Sequence, residues 1–447
     1  MRLLLLVAMA MILFNTRPAN AGLGLGRQQA VGGVVVAPDG AVRPATQEEQ
    51  QEMANLVRVA VGQANVAHEG KDRLRIVSLK RLQQSLREVH QTGGRLDGAH
   101  MFLAGMTRVQ YVIVDEENQD LLLAGTAEPW KLLADGSVVG AGSGNSIVRL
   151  DDLVTAFRSV ENVRRDGGIR VSIEPTAEGR VRLQNFLRRV QLRPGQNPAF
   201  LEAGMREAFG PQKIVLAGVP GESRFARTLV AADFEMKRLS MGLVDSPVPG
   251  LPSYLELARN QNHSADQNPR WWMACNYEPI ARDPAGRVWK LSGQGVKTLT
   301  EQDVFAADGS VTRDGRQDAM AVTWAEKMTE KFNDLAKQKP IFQDLRNAMD
   351  LIVVATLVAE EGLDQVSGID LSVLMGDESL IETPAFHLPK SIEPHCSFIR
   401  GRSGWIATAS GGVNINPFAV AGTQREDATL GQLSVASDSL DRWWWDQ

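Results

Sequence analysis

Asp233 and Glu235 are the carboxylates of this sequence best placed by local context for acid–base chemistry. They fall in a stretch, about Ser223 to Met241, that reads as one long helix carrying Arg224, Arg227, Lys237 and Arg238. A carboxylate-based hydrolase of glycosidic bonds needs two carboxyl groups roughly 5–10 Å apart. Residues two apart on a helix face different directions, so Asp233 and Glu235 do not make that pair unaided. Asp233 and Lys237 are four apart, in the order that favours a helical ion pair. The preferred reading is a charged face, solvated or set against another domain; if the chain is an enzyme, Asp233 and Glu235 are the first carboxylates to test.

Other residue sets offer weaker chemistry. His387, Glu393, His395 and Cys396 lie within ten residues and are all competent zinc ligands. Their spacing matches no usual finger or protease, and Pro389 and Pro394 argue for an irregular loop. His387, His395 and Cys396 are therefore weak metal candidates, and the expectation is no metal and no cofactor. A His395–Cys396 nucleophile pair is disfavoured, because sequence neighbours point apart. Gly140-Ala141-Gly142-Ser143-Gly144 has the backbone for an anion nest but lacks the Lys-Ser/Thr of a nucleotide phosphate site; a plain loop is the simpler reading. No G-x-S-x-G, H-E-x-x-H, C-x-x-C or G-x-G-x-x-G occurs.

Nine tryptophans against three tyrosines is an unusual balance. Trp271, Trp272, Tyr277 and Trp289 cluster in sequence, and stacked aromatics can hold sugars or a partner surface. Core filling is the preferred reading for Trp271, Trp289, Trp324 and Trp405. Trp443-Trp444-Trp445 must dock somewhere, and docking within the chain is the preferred reading. Two cysteines, Cys275 and Cys396, can pair in an oxidising compartment or stand as separate buried thiols.

The compartment is suggested by Met1-Arg2, the uncharged run Leu3 to Phe14 and Ala19-Asn20-Ala21, which read as a secretory signal peptide over residues 1–21. About a dozen apolar residues are too few for a bilayer, which needs roughly 20. The expected product is exported, periplasmic or secreted, with no transmembrane span in the mature chain. The net charge of −5 gives no case for nucleic acid. Residues 158–193 nevertheless carry nine arginines against four acids, a local surplus that fits an anionic envelope polymer or docking against the acidic remainder.

Strand and helix patterns alternate along the chain, which predicts a multidomain α+β fold of mixed sheets covered by helices. The segments read as an N-terminal hairpin (22–45), an α/β domain (46–165), a second α+β domain (166–243), a linker rich in Pro, Asn, Ser and Gln (244–270), a third α+β domain (271–422) and a loose tail (423–447). Thr46 and Glu49 fit a capping box before a helix. Ile76–Leu79, Ile147–Leu150 and Val296–Leu299 each read as a strand passing directly into a helix. The uncharged stretch Leu351 to Ala359 reads as a buried helix.

Several segments together resemble a family of exported planctomycete proteins that carry a domain of unknown function. They are Tyr111-Val112-Ile113-Val114, Leu121-Leu122-Leu123-Ala124-Gly125, Glu128-Pro129-Trp130, Ala232 to Leu239, Gly293 to Lys297 and Pro340 to Leu363. The resemblance implies export and brings no activity, cofactor or catalytic residue. The expected role is binding or assembly at the cell envelope, with a hydrolase of an envelope polymer as the alternative.

Overall fold

Thr46 and Glu49 close the predicted box reciprocally. The Glu49 backbone N–H donates to Thr46 Oγ1 at 3.2 Å, and the Thr46 N–H donates to Glu49 Oε2 at 2.9 Å. The helix Gln47–Val61 follows. These details come from a computed structural model, which describes residues 30–61, 74–189, 201–258, 267–305, 311–312, 315, 317–376, 385–394, 396–400, 405–408, 410–433 and 442–447. The expected leader, residues 1–21, lies outside them.

The described residues hold about 45% helix and 24% strand in mixed sheets, as an α+β chain should. A nine-stranded sheet runs in the order Val34–Val36, Ala41–Pro44, Ser391–Ile392, Gln212–Ala217, Ile169–Glu174, Ser410–Ile415, Gln267–Asn276, Gly295–Phe305, Val311–Thr312. A seven-stranded sheet runs Gln424–Glu426, Ile280–Arg282, Val288–Lys290, Tyr111–Asp115, Asp120–Thr126, Leu74–Ser78, Trp444–Asp446. Helices lie between them. Pro340–Glu360 packs against Leu150–Asp166, Arg224–Ser240 and Pro417–Ala421, and Arg224–Ser240 packs on the strands Ile169–Glu174 and Ser410–Ile415. No described helix is long and apolar enough to cross a membrane.

The sheets cut across the segment boundaries read from the sequence. The nine-stranded sheet takes strands from residues 22–45, 166–243 and 271–422; the seven-stranded sheet takes strands from 46–165, 271–422 and 423–447. One apolar cluster joins Val77 and Leu123, Leu351 and Leu357, and Val171, Trp271 and Val413. Strand pairing between distant segments, which local composition does not report, builds this core.

The described parts of the expected linker and of the expected loose tail are packed. Within 244–270, Val248, Leu251 and Tyr254 are buried, and Tyr254 meets the Trp271 ring edge-on at 4.9 Å. In the tail, Trp444–Asp446 pairs antiparallel with Leu74–Ser78, so the tryptophan triplet docks within the chain. Asp446 Oδ1 accepts from Arg75 Nε at 2.5 Å, and the Arg75 guanidinium lies 4.2 Å from the Trp444 ring centroid.

Of the three expected strand-to-helix passages, only Leu74–Ser78 into Leu79–Gln91 is observed, with Ser78 Oγ accepting from the Arg81 N–H as the cap. At Ile147–Leu150 only Ser146 makes an isolated bridge before the helix starts at Leu150. At Val296–Leu299 the chain stays extended to Phe305. Val296, Thr298 and Thr300 are buried while Leu299 is 37% exposed, the two-residue period of a strand with one covered face.

Candidate functional site

The candidate site lies on the outer face of the nine-stranded sheet. Cross-strand register aligns Val215, Ser172, Gly412, Trp272 and Leu299 in one row and Ala217, Arg170, Asn414, Ala274 and Lys297 in the next. Beside them Arg270 bonds Glu174 at 3.0 Å and Glu301 at 3.1 Å. Where Gln267–Asn276 leaves the sheet, a cleft of about 340 Å³ opens between Trp272, Ala274, Leu299 and Asn414 and the Asn416–Thr423 segment, with Cys275, Tyr277 and Glu278 at its end. Asn414 and Glu278 are exposed, and Trp272 and Lys297 are half-buried.

Glycine makes this surface possible. Gly411 has φ +122°, and a Cβ there would meet the Trp271 carbonyl at 1.6 Å; one on Gly412 would meet the Val171 carbonyl at 1.7 Å. Only glycine lets the Ser410–Ile415 strand run between these neighbours. From the inner side Lys237 Nζ donates to the Gly411 carbonyl at 3.0 Å.

That lysine belongs to the first carboxylate pair. Asp233 is 0% exposed and accepts from Lys237 Nζ at 2.7 Å. Burial pushes the Asp233 carboxyl up to about 6 against the pull of Lys237, and burial lowers Lys237. Glu235 points elsewhere, to Arg238 at 3.1 Å and to Lys339 at the start of the Pro340–Glu360 helix. The helix is therefore not a solvated charged face. Its charges are folded inward because it lies between a sheet and another helix. Both carboxylates are committed to cations and are not brought together.

The four aromatics separate. Trp271 and Trp289 are core residues, as is Trp324; Trp272 and Tyr277 line the cleft. The side chain of Trp405 lies outside the described residues. Tyr277 donates its hydroxyl to Asp350 at 2.7 Å, and Asp350 is held in turn by Arg108 Nε at 2.8 Å. Burial raises the Tyr277 hydroxyl well above its ordinary value. Cys275 is a free thiol, pushed by burial up to about 12; the side chain of Cys396, its expected partner, lies outside the described residues. His395 also lies outside them. His387 is half-buried, and its carbonyl accepts from Arg227 at 3.2 Å. The glycine-rich loop holds an anion of its own: Glu128 Oε2 accepts from the Gly142 and Ser143 N–H groups at 2.7 and 2.9 Å.

The arginine-rich segment spends much of its charge within the chain. Arg164 pairs with Glu360 at 2.8 Å, and Arg158, Arg180 and Arg182 donate to the carbonyls of Leu374, Pro175 and Ala208. Arg170 differs: it stands exposed on the row beside the cleft. Arg193 lies outside the described residues.

Two arrangements escape the sequence-level reading. Arg224 binds Asp152 and, at 2.8 Å, Asp344, all buried; burial pushes the Asp152 carboxyl up to about 7. Ser85, His100 and Asp97 form a hydrogen-bonded chain. Its one sequence signal is Asp97-x-x-His100 at the start of the Gly98–Met101 helix, where Asp97 accepts from the His100 N–H. Ser85 reaches the histidine only through the fold.

Residues 171–254 match the family described as "Protein of unknown function (DUF1598)". A DUF1598 domain is present. It holds Arg224, Asp233, Lys237 and Tyr254; Trp272 and Tyr277 lie just beyond its matched residues. No curated protein and no solved structure matches the chain.

Proposed function

We propose that this chain is an exported protein of the cell envelope, periplasmic or secreted, that acts by binding an anionic envelope polymer on the outer face of its nine-stranded sheet. The observation that carries the reading is the Trp272 row. A half-buried indole floors the cleft beside Leu299, while Arg170 and Lys297 flank Asn414 and Ala274 in the neighbouring row. They are three strand spacings apart, roughly 14 Å. An indole face takes the apolar side of a sugar ring. Flanking cations supply attraction that weakens with salt. Asn414 and Glu278 at the cleft add polar groups for hydroxyls. The leader-like pattern of residues 1–21 supports export.

The hydrolase alternative rested on Asp233 meeting a second carboxylate across a cleft. Asp233 is instead buried against Lys237, which supports binding over that chemistry. Co-sedimentation of the full chain with purified envelope polymer tests the reading. Wild type is expected to pellet at low salt and release at high salt, and an R170E/K297E variant to stay in solution. Equal pelleting of both proteins would refute it.

A further inference from the structure

Ser85, His100 and Asp97 form a relay that the cleft and its polymer do not use. Ser85 Oγ lies 2.8 Å from His100 Nε2, and His100 Nδ1 lies 2.7 Å from Asp97 Oδ1. Asp97 Oδ1 also accepts the His100 backbone N–H at 2.9 Å, so a local helix cap fixes both the backbone and the ring of the histidine. The His100 hydrogen bond holds the Asp97 carboxyl below its ordinary range. An ionised Asp97 accepts the proton on Nδ1, which leaves the Nε2 lone pair facing the Ser85 hydroxyl. Trp443 lies against the ring, centroid to centroid 5.2 Å, and only 10% of the His100 side chain is exposed. Ser85 itself is half-buried. Helix capping accounts for Asp97 and the His100 N–H; it does not account for a serine turned onto Nε2.

We propose that Ser85 is a nucleophile, with His100 as its base and Asp97 as a positioning residue, and that it forms an acyl-serine with activated esters. In that step the Ser85 proton passes to His100 Nε2 as Oγ bonds the carbonyl carbon. The bond to the leaving aryloxide or thiolate then breaks, and that group takes the proton from Nε2. Water repeats the sequence on the acyl-serine, releasing the acid and restoring the serine hydroxyl. The substrate class follows from the leaving group: an aryloxide or thiolate departs without the help that an amide nitrogen needs. Esters with aryl or thiol leaving groups fit this site; amides do not.

The test is labelling of the full chain with an alkyl fluorophosphonate, in which Oγ displaces fluoride from phosphorus. Mass spectrometry is expected to place the adduct on Ser85, with none in S85A. D97N keeps a capping oxygen but loses the charge; it is expected to label at least tenfold more slowly with an unchanged circular dichroism spectrum. The absence of a Ser85 adduct, or a D97N variant as reactive as wild type, would overturn the proposal.

Discussion

Replacing Lys237 by methionine leaves the Asp233 carboxylate buried without its cation. At 2.7 Å and an effective dielectric near 20, the pair attracts by about 6 kcal/mol. Desolvation of the two ions costs several kcal/mol each, so the intact pair comes close to breaking even. Breaking it does not: one partner left alone costs about 3–5 kcal/mol. Lys237 also donates to the carbonyls of Gly411 at 3.0 Å and Ile173 at 3.4 Å, which would lose a donor, at about 1 kcal/mol each. K237M is therefore expected near the top of that range. The double variant D233L/K237M removes both charges and should recover at least about 2 kcal/mol of the loss. Urea unfolding of wild type, both single variants and the double closes the cycle. A K237M cost under about 1 kcal/mol, or a double variant no more stable than K237M, would refute the argument that burial dominates here.

Two further outcomes follow from other buried groups. Burial holds Asp152 up to about 7 and Asp233 up to about 6, both above the ordinary carboxylate value, so the native state binds more protons than the unfolded chain from about pH 4 to 7. Their contribution is present at low pH and fades as pH rises, by at most about 1.4 kcal/mol per unit for each group. D152N, which leaves Arg224 paired with Asp344, should flatten that slope, and an unchanged slope in urea midpoints from pH 5 to 7.5 would contradict it. Trp445 is 3% exposed on the edge strand beside Ile76, so W445A should cost about 3 kcal/mol in the same assay; under about 1 kcal/mol would mean the strand is not docked.

What the sequence disclosed is local. The Thr46–Glu49 box, the hairpin of Val34–Val36 with Ala41–Pro44 and the long helix around Asp233 each depend on spacing within one element. Asp233–Lys237 pairing was legible for the same reason, but its burial was not, since that depends on a sheet below and a helix above. The 244–270 segment misleads because a few apolar residues, Leu251 and Tyr254 among them, anchor a mostly polar stretch. Val296–Leu299 misleads in another way: four apolar and polar residues fit a helix start as well as an alternating strand, and only the cross-strand partner Met273 to Thr298 decides. Within the aromatic cluster, Trp271 and Trp272 are neighbours pointing to opposite faces, one into the core and one to the cleft, which period two allows but composition does not assign. The Ser85–His100 contact joins residues fifteen apart on two helices and has no periodic signature.

The central claim, that the Trp272 cleft holds a charged envelope polymer, is tested most directly by calorimetric titration of the full chain with acidic oligosaccharides released from that polymer. Replacing Trp272 by alanine should weaken binding by about 2 kcal/mol, roughly thirtyfold in Kd. Wild-type affinity should fall as salt rises. Equal affinity in the W272A variant, or a wild-type Kd insensitive to salt, would contradict the account.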